Sequence, residues 1–386
     1  MKIVLFTRSL DVGGTQRQLA ALAAGLARRG HDIVVIVLYS GGAIEVALEG
    51  SGARLVGLGK SGRWDIFGPM SRLWRMFRSE APDLIYSFLP TQTVLSALLA
   101  PKGRRTRLVF GIRAAGMKPD EYDMLSAMIY RLEVGLSRRA DLIIANAGAG
   151  RLDAIAKGMP ADRIAVVPNG IDVDAMRPDE AAGRTIRRQW KIPDDAFVVG
   201  MVARLDPMKD HETFLAAAVE FARAHEDAYF VCVGAGPEAL RQKLESRAHS
   251  LGLTDRVVWV GESSDVRAAY DAFDIATLSS AFGEGFPNAV AEALACGVPV
   301  VATDLGDVAS IIGECGEVVP PRRPDLLNAG WGRVRARLEQ DPNMGAAGRD
   351  QIVKNFSVDA MVQRTEEILS RVSAGRPAIE IVREFA

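Results

Sequence analysis

Runs of consecutive apolar residues alternate along the whole chain with stretches whose apolar residues recur at helical spacing. The first example begins with an apolar run at residues 2–6, continues through Gly13 and Gly14 to a helical pattern at residues 19–26, and ends with an apolar run at residues 32–38. This order predicts a strand, a helix and a second strand, which form a βαβ unit. Apolar runs without alternation are typical of parallel strands that helices cover on both faces.

The later apolar runs fall into two series with helix-length stretches between them. The first series continues with runs at residues 83–86, 107–110, 141–144 and 163–167. The second series consists of runs at residues 197–203, 229–233, 256–260, 274–278, 298–302 and 317–319. The sequence therefore predicts an α/β protein with two doubly wound domains, each built on a parallel sheet.

The stretch between the two series, residues 169–193, is rich in Pro, Gly, Asp and Ala, which is typical of a connection between domains. We predict an N-terminal domain at residues 1–175, a linker at residues 176–193 and a C-terminal domain at residues 194–356. Residues 357–386 begin with a helical pattern, and we expect this helix and tail to return toward the N-terminal domain. Open α/β sheets bind ligands at the carboxyl ends of their strands, so the loops that follow strands are the candidate sites.

Composition narrows the class of protein. The chain has 386 residues, of which 48% are apolar and 25% charged, which excludes disorder, collagen and a disulfide-rich miniprotein. Three cysteines and four histidines form no cluster with zinc-ligand spacing, and we expect reduced thiols in a cytoplasmic protein. The apolar run at residues 1–6 is too short for a signal peptide, and polar residues interrupt the uncharged stretch at residues 84–101, so we expect no membrane span.

The two halves of the chain differ in charge, although the net charge is −1. Residues 1–170 have nine more basic than acidic residues, and the remainder has ten more acidic than basic residues. A basic domain is suited to nucleic acid, to an anionic lipid surface or to a phosphorylated substrate. Charge alone leaves these three open.

The segment richest in candidate chemistry is the run Gly-Glu-Gly-Phe-Pro-Asn that precedes a predicted helix. Glu284 lies in this loop and Glu292 lies about one turn inside the helix, so both can face one ligand. The backbone amides at Asn288 and Ala289, where the helix begins, are suited to an anion or a hydroxyl group. The glycines and the proline define a backbone path that a plain helix-entry loop with two solvated glutamates does not need.

This segment resembles the signature of the retaining glycosyltransferases of the GT-B fold, in the large family 4 group that transfers sugars from nucleotide donors. The family signature is two glutamates with seven residues between them, as Glu284 and Glu292 have here. Further segments similar to family motifs are Ala-Arg-Leu-Asp-Pro-Met-Lys-Asp at residues 203–210, Val-Gly-Ala-Gly-Pro at 233–237, Pro-Asn-Gly-Ile-Asp at 168–172 and Ala-Thr-Asp at 302–304. The resemblance extends from residue 1 to about residue 370 and implies two Rossmann-like domains that face each other across a cleft. It implies that the N-terminal domain binds the acceptor and that the C-terminal domain binds the nucleotide sugar.

The resemblance implies roles for individual side chains. Arg204 and Lys209 would hold the diphosphate of the donor, since two cations neutralise a pyrophosphate when no metal does so. Glu292 would accept hydrogen bonds from the ribose hydroxyls, and Glu284 from the hydroxyls of the donor sugar. Arg204, Lys209, Glu284 and Arg113 are the candidate catalytic residues.

Backbone groups complete the donor site that the resemblance implies. In the C-terminal domain they belong to Gly285, Phe286, Pro287, Asn288 and Ala289, around the start of the predicted helix. In the N-terminal domain, Gly13 and Gly14 would let the backbone approach the phosphates.

The sequence departs from the family pattern at two places. Many members have a histidine after the fourth strand of the first domain, where this chain has Arg113, which either contacts the sugar or acceptor or only lines the cleft. The usual Gly-Gly-x-x-Glu after the late strand is here residues 305–310, with Asp307 as an uncertain substitute for the glutamate. Both departures leave the identity of the donor open.

Two motifs indicate other functions. Gly234, Gly236 and Ala239 follow a strand and match the dinucleotide-binding fingerprint, so an NAD-dependent Rossmann enzyme is a rival. This fingerprint lies on the second βαβ unit of its domain, and no pair of histidines for acid–base chemistry accompanies it. Asp172 and Asp174 have the spacing of the Asp-x-Asp metal site of the other glycosyltransferase fold, but they lie in the predicted connection. A nucleotide-sugar 2-epimerase and a two-lobed binding protein are the remaining alternatives.

We therefore expect a cytoplasmic, metal-independent hexosyltransferase that needs no cofactor. Its partners would be a UDP- or GDP-sugar and a carbohydrate or lipid-linked acceptor, in polysaccharide or lipopolysaccharide synthesis, and not nucleic acid. A predicted helix with an apolar stripe at Met70, Leu73, Trp74 and Phe77 carries basic residues beside the stripe, namely Arg72, Arg75 and Arg78, with Arg104, Arg105 and Arg107 further on. This helix either packs in the core with a solvated basic face or contacts an anionic membrane at the inner face.

Overall fold

The computed structural model describes residues 1–62, 64–101, 106–113 and 124–385. The chain divides into two units: the first combines Met1–Gly170 with the residues from Val358 onward, and the second is Ile171–Ser357. Arg104 and Arg105 of the predicted basic surface lie outside the described residues. None of the described helices is both long enough and apolar enough to cross a membrane.

The first unit is built on a parallel sheet with the strand order β3-β2-β1-β4-β5-β6-β7. In the described part of the chain its strands are β1 (Lys2–Thr7), β2 (Asp32–Val37), β3 (Arg54–Gly57), β4 (Leu84–Phe88), β5 (Arg107–Ile112), β6 (Leu142–Ala145) and β7 (Ile164–Val166). The helices that occur among these strands are α1 (Gly14–Arg28), α2 (Phe67–Glu80), α3 (Pro90–Leu99), α4 (Met124–Leu136) and α5 (Gly148–Ala156).

The central strand β1 shows why the apolar runs do not alternate with polar residues. Ile3 and Leu5 belong to the core on the side of α1, whereas Val4 and Phe6 pack on the opposite side with residues of α2. All four side chains are fully buried. Because helices cover both faces of the sheet, apolar residues are required at every position of the strand.

The second unit has its own parallel sheet, with the order β10-β9-β8-β11-β12-β13. Its described strands are β8 (Phe197–Val202), β9 (Ala228–Val233), β10 (Val257–Gly261), β11 (Ile275–Leu278), β12 (Val300–Thr303) and β13 (Gly316–Val319). Its described helices are α6 (Glu180–Gln189), α7 (His211–Ala224), α8 (Glu238–Ser250), α9 (Val266–Asp271), α10 (Asn288–Ala295), α11 (Val308–Ile312), α12 (Pro324–Gln340) and α13 (Met344–Phe356). The prediction of two doubly wound parallel-sheet domains is confirmed.

Residues 176–193, which the sequence assigns to a linker, contain α6. The carboxylate of Asp179 caps this helix by accepting a hydrogen bond from the Ala182 amide at 3.0 Å. Arg187 anchors it to the second unit through an ion pair of 2.9 Å with Asp274. A Cβ at Gly183 would lie 2.1 Å from the Asp271 carbonyl oxygen, so the helix packs tightly against the end of α9. The prolines that punctuate the stretch thus flank a helix of the second unit.

The C-terminal residues form α14 (Val358–Ser373) and α15 (Ala378–Phe385), which belong to the first unit. Helix α14 packs on α1 so closely that a Cβ at Gly25 would lie 2.4 Å from a Val362 methyl carbon. Glu366 of α14 pairs with Arg29 at 3.1 Å and contacts His31 at 2.7 Å. The apolar face of α1 is therefore covered by the last part of the chain.

Candidate functional site

The strand order of the second unit places a switch in direction between β8 and β11. These two strands are neighbours, and the chain continues from β8 to β9 on one side and from β11 to β12 on the other. The loops that leave the carboxyl ends of β8 and β11 therefore diverge and open a crevice, which is where open α/β sheets bind ligands. Residues 203–210 and 279–287 form these two loops.

The two loops are packed directly on each other. The Ala281 amide donates to the Met208 carbonyl oxygen at 2.8 Å, and the Ser279 hydroxyl donates to the Lys209 carbonyl oxygen at 3.0 Å. Gly283 has φ +80, and a Cβ there would lie 2.7 Å from the Met208 sulfur. A residue without a side chain is thus needed at Gly283 both for its backbone angle and for the close approach of Met208.

Lys209 and Glu284, both predicted as site residues, form an ion pair where the loops meet. Lys209 Nζ lies 2.6 Å from Glu284 Oε1, and the exposed fractions of the two side chains are 16% and 8%. Ser280 Oγ donates a second hydrogen bond to the same carboxylate oxygen at 2.5 Å. A buried carboxylate that contacts a largely buried ammonium and a hydroxyl is compensated for its lost hydration.

Arg204 lies on the same loop as Lys209 but has a different environment. Its side chain is 75% exposed, and its guanidinium nitrogen is 3.6 Å from Asp206 Oδ2. Asp206 in turn accepts a hydrogen bond from the Met208 amide at 2.9 Å, which shapes the turn before Lys209. An exposed pair at this distance contributes little to stability, so Arg204 can change its partner at small cost.

Glu292 lies on α10, which begins at Asn288 immediately after the buried residues Gly285, Phe286 and Pro287. The Tyr270 hydroxyl donates to Glu292 Oε2 at 3.2 Å and so orients this half-buried carboxylate. Tyr270 lies on α9 and is not part of any motif, so nothing in the sequence indicates it. Because the first turn of a helix has backbone amides without carbonyl partners inside the helix, the Asn288 and Ala289 end of α10 is suited to bind oxygen atoms.

The loop after β12 packs against the loop that carries Glu284. Gly306 has φ +64, and a Cβ there would lie 2.2 Å from the Gly285 carbonyl oxygen. The Asp307 amide donates to that oxygen at 2.9 Å, and the Thr303 hydroxyl donates to the Ser280 carbonyl oxygen at 2.7 Å. Asp307, which the sequence treats as a substitute for a family glutamate, thus holds Gly285 through its backbone.

The glycines of the dinucleotide fingerprint have a different use in this structure. Gly234 has φ +140, and a Cβ there would lie 2.0 Å from the Ala203 carbonyl oxygen, while one at Gly236 would lie 2.4 Å from that of Leu205. The turn after β9 is therefore packed against the loop that carries Arg204. Since β9 lies between β8 and β10, away from the switch in strand direction, the fingerprint does not occupy the crevice where a dinucleotide would bind.

The Asp-x-Asp motif closes a backbone turn. Asp172 Oδ1 accepts hydrogen bonds from the amides of Asp174 at 3.2 Å and Ala175 at 3.0 Å. This capping of the following residues is the usual role of an aspartate in a turn.

His211 is buried at the start of α7. Burial is the largest cause that lowers the pKa of His211 to about 4, so the imidazole is neutral at pH 7. Its Nε2 has no hydrogen-bond partner among the described residues.

In the first unit, Gly13 and Gly14 lie between the carboxyl end of β1 and the first turn of α1. Gly13 has φ 178, which is extended backbone that any residue adopts. A Cβ at Gly13 would meet only the end of the flexible Gln16 side chain, at 2.4 Å. Strands β1 and β4 are neighbours at the switch in direction of this sheet, so the glycine turn lies at the position where that sheet would bind a ligand.

Arg113 follows β5 and is held in place by aromatic and polar neighbours. Its guanidinium donates to the Tyr86 hydroxyl at 3.2 Å and to Asn169 Oδ1 at 3.4 Å. Its Cζ lies 4.6 Å from the centre of the Phe88 ring, and Nε is buried without a partner among the described residues. The structure thus places Arg113 in the first unit with its Nε–H donor unused.

Comparison with family models gives two consecutive matches. Residues 12–175 match a model described as Glycosyltransferase Family 4, and residues 196–334 match one described as Glycosyl transferases group 1. The two matched segments lie in the order that the resemblance implies and together cover most of the chain.

Curated relatives align with about half of their length. A GDP-mannose-dependent alpha-(1-6)-phosphatidylinositol monomannoside mannosyltransferase of Mycobacterium tuberculosis is 29% identical over 56% of this chain and 58% of its own length. D-inositol 3-phosphate glycosyltransferase 2 of Catenulispora acidiphila is 34% identical over 60% of this chain and 56% of its own length. The chain thus spans little more than half the length of these relatives.

Solved structures match nearly the whole chain and establish the fold. Anabaena Alr3699/HepE in complex with UDP superposes with a TM-score of 0.81 at 22% identity, over 96% of this chain and all of that chain. Sucrose-phosphate synthase from Thermosynechococcus elongatus superposes with a TM-score of 0.79 at 19% identity, over 97% and 99% of the two chains. The two family matches and this fold confirm the resemblance: the chain belongs to the family 4, group 1 glycosyltransferases of the GT-B fold.

Proposed function

We propose that the protein is a retaining, metal-independent glycosyltransferase that transfers a hexose-type sugar from a UDP- or GDP-sugar to a carbohydrate or glycolipid acceptor of the cell envelope. The observation that carries this proposal is the buried pair of Lys209 and Glu284 at the switch in direction of the second sheet. Exposed Arg204 lies on the loop of Lys209, and Glu284 precedes the helix that carries Glu292. Two cations for a diphosphate and two carboxylates for hydroxyl groups are the recognition groups that a nucleotide sugar needs.

Binding of the donor would reorganise this pair. The diphosphate competes with Glu284 for the Lys209 ammonium, and Arg204 turns from Asp206 toward the second phosphate. Glu284 then accepts hydrogen bonds from the sugar hydroxyls, while Ser280 keeps the carboxylate in place. Glu292, oriented by Tyr270, accepts hydrogen bonds from the ribose.

Transfer would follow from charge that develops on the leaving group. The bond between the anomeric carbon and the diphosphate oxygen breaks, and the acceptor hydroxyl forms its bond on the same face of the sugar. The departing diphosphate accepts the acceptor's proton, and Lys209 and Arg204 stabilise the negative charge that grows on it. Attack and departure on one face retain the anomeric configuration.

Our proposals for the base of the nucleotide and for the acceptor rest on the similar proteins. One relative is named as GDP-mannose-dependent and acts on a phosphatidylinositol mannoside, whereas the fold neighbour HepE was solved with UDP. We therefore include both bases and favour a lipid-linked or polysaccharide acceptor. All three cysteines are buried as free thiols, which supports the reducing cytoplasmic location that we propose.

We further propose that the first unit contacts an anionic membrane through α2. Leu73 and Phe77 are buried in the core, but Phe67 at the start of the helix is 90% exposed and Trp74 is half-exposed. Arg78 stacks on Trp74, with its Cζ 4.4 Å from the ring centre. Exposed aromatic rings beside exposed arginines are the combination that binds at a lipid–water interface.

One basic residue of this helix does not take part in that surface. Arg72 Nε donates to the Leu58 carbonyl oxygen at 2.7 Å and thereby ties α2 to the end of β3. The predicted basic face is therefore reduced to Arg75 and Arg78, which are exposed.

The proposal is tested by nucleotide release from a panel of UDP- and GDP-sugars. Because Glu292 would contact ribose hydroxyls that do not change during the reaction, Glu292→Ala should weaken binding of the nucleoside diphosphate by about 1.5–3 kcal/mol. Glu284→Ala should bind the nucleotide nearly normally but lower kcat more than it raises KM. Glu226→Ala is the matched control. This exposed glutamate precedes β9 and so lies at the amino ends of the strands, away from the proposed site. A folded Glu284/Glu292 double variant with full activity would place the active site elsewhere.

A further inference from the structure

The first unit contains a cavity that the donor site does not use. It has a volume of about 130 Å³ and lies at the carboxyl end of β5. Leu89, Ile112 and Met159 give it apolar walls, while Arg113, Tyr130 and Glu133 bring polar groups to it. Several helices and strand ends therefore converge on one small space that has both apolar walls and polar groups.

Glu133 is the unusual residue of this cavity. It lies on α4 and is 5% exposed. Thr93 Oγ1 donates to Glu133 Oε1 at 2.8 Å, and no lysine or arginine pairs with this carboxyl group within the described part of the chain. Burial raises the pKa of Glu133 to about 7. A buried carboxyl group with one hydrogen bond retains capacity for a ligand that donates another.

Arg113 supplies the complementary group. Tyr86 and Asn169 hold two of its nitrogens and the Phe88 ring covers one face, so the guanidinium has a fixed position. Its Nε remains without a partner among the described residues. The cavity thus combines one group that accepts hydrogen bonds with one that donates them.

The charges of the lining argue against an ionic ligand. An anion would meet the carboxyl groups of Glu133 and Asp153, and a cation would meet Arg113. Lys157 already pairs with Asp153 at 2.7 Å and lies 5.2 Å from the centre of the Tyr130 ring. A neutral ligand with several hydroxyl groups fits better, because each hydroxyl both donates and accepts. The apolar walls suit the C–H faces of a saturated ring.

We propose that this cavity binds one hydroxylated ring of the acceptor, a hexose or cyclitol unit, with a ring hydroxyl donating to Glu133 and a ring oxygen accepting from Arg113. This inference rests on the proposed glycosyl transfer. Thr15, in the first turn of α1, also lines the cavity, so the bound ring lies next to the Gly13–Gly14 turn. The ring would therefore be held at the same edge of the sheet where the donor phosphates are expected.

The test uses the intact chain and ligand-observed saturation-transfer NMR with two probes, methyl α-D-mannopyranoside and myo-inositol. Glu133→Leu replaces the carboxyl group, which accepts hydrogen bonds, with an apolar side chain of similar size. In this variant the single hydroxyl hydrogen of Thr93 can be donated to the Pro90 carbonyl oxygen, 2.8 Å away within α3, so the hydroxyl is not left without a partner. Glu49→Gln, at an exposed position of the same unit, is the matched control.

We expect at least one probe to bind the wild-type protein and the Glu49→Gln variant, and Glu133→Leu to weaken its binding about tenfold or more. No saturation transfer to either probe in the wild-type protein, or equal binding by Glu133→Leu, would overturn the inference. Binding of UDP and GDP is measured in parallel and should be unchanged in Glu133→Leu. Failure of the wild-type protein to bind either nucleotide would count against the proposed function. The result with the two ring probes would still test the proposal for the cavity.

Discussion

Removing the ammonium of Lys209 should destabilise the protein although the residue lies in the proposed donor site. In Lys209→Met the Glu284 carboxylate keeps only the hydrogen bond from Ser280 and stays 8% exposed. Loss of one partner from a buried ion pair typically costs 3–5 kcal/mol, because a charge is left uncompensated. The remaining hydroxyl offsets part of this cost, so we expect the free energy of unfolding to fall by about 3 kcal/mol.

A double-mutant cycle isolates the interaction itself. Glu284→Gln removes the carboxylate charge but keeps an oxygen for Ser280, and Lys209→Met with Glu284→Gln removes both charges. Because the Nζ–Oε1 distance is 2.6 Å, the two effects should not add: we expect a coupling free energy of about 2 kcal/mol. The double variant should therefore be more stable than the sum of the single variants indicates. Urea denaturation of all four proteins gives the required free energies.

Arg204→Met is the matched control for this cycle. It removes a cation from the same loop, but the side chain is 75% exposed and its nearest carboxylate oxygen is 3.6 Å away. We expect a change in the free energy of unfolding below about 0.5 kcal/mol. Both Lys209→Met and Arg204→Met should nevertheless weaken nucleoside diphosphate binding about tenfold or more, since each would lose a charge-assisted hydrogen bond to phosphate.

Two results would refute this reasoning. If the effects of Lys209→Met and Glu284→Gln on stability add within about 0.5 kcal/mol, the pair is not energetically coupled. If Arg204→Met destabilises as much as Lys209→Met, burial of the pair is not the cause of the loss.

Three other outcomes are expected. Transfer activity should persist in excess EDTA, since Arg204 and Lys209 would neutralise the diphosphate, and a complete loss that manganese restores would contradict this assignment. Phe67→Ser should reduce flotation with anionic liposomes at low salt, whereas Leu152→Ser, at an exposed position on α5, should not. Equal flotation of the wild-type protein with neutral and anionic vesicles would show that the basic face of α2 is only solvated. Glu133 has a pKa of about 7 in the folded chain against 4.5 for the ordinary side chain, so its protonated form stabilises the fold and this contribution is lost as the pH rises from 4.5 through 7. Glu133→Gln should therefore gain about 3 kcal/mol relative to the wild-type protein between pH 4.5 and pH 8 in urea denaturation, and a gap that does not change with pH would show that Glu133 is not buried as described.

The predicted fold was accessible from the sequence because burial on both faces leaves a strong local signal. A strand such as β1 must be apolar at every position, and glycine or proline marks the loops that follow. The same logic selects Lys209 and Glu284 as candidate site residues, since both follow strands and lie beside residues with restricted backbone conformations. The sequence could not show that these two side chains pair with each other, because that depends on how the β8 and β11 loops pack.

The supporting contacts escaped prediction for the same reason. Ser280, Thr303 and Tyr270 are ordinary polar residues whose roles come from neighbours distant in sequence. Helix α6 lies within the predicted linker, where Pro178 and Pro193 flank it, although Asp179 is a recognisable helix cap.

The discontinuity of the first unit affects how the protein folds as it is synthesised. All of Ile171–Ser357, about 190 residues, emerges between the two parts of the first unit. Helix α1 ends at Arg28 and α14 begins at Val358. At about 5–20 residues per second, α1 therefore waits about 16 to 66 seconds before α14 is available to cover it. During this interval the face of α1 around Gly25 is exposed on the nascent chain, while the contiguous second unit can already fold. Chaperone binding to ribosome-bound chains that end before Val358 should therefore concentrate on the first unit.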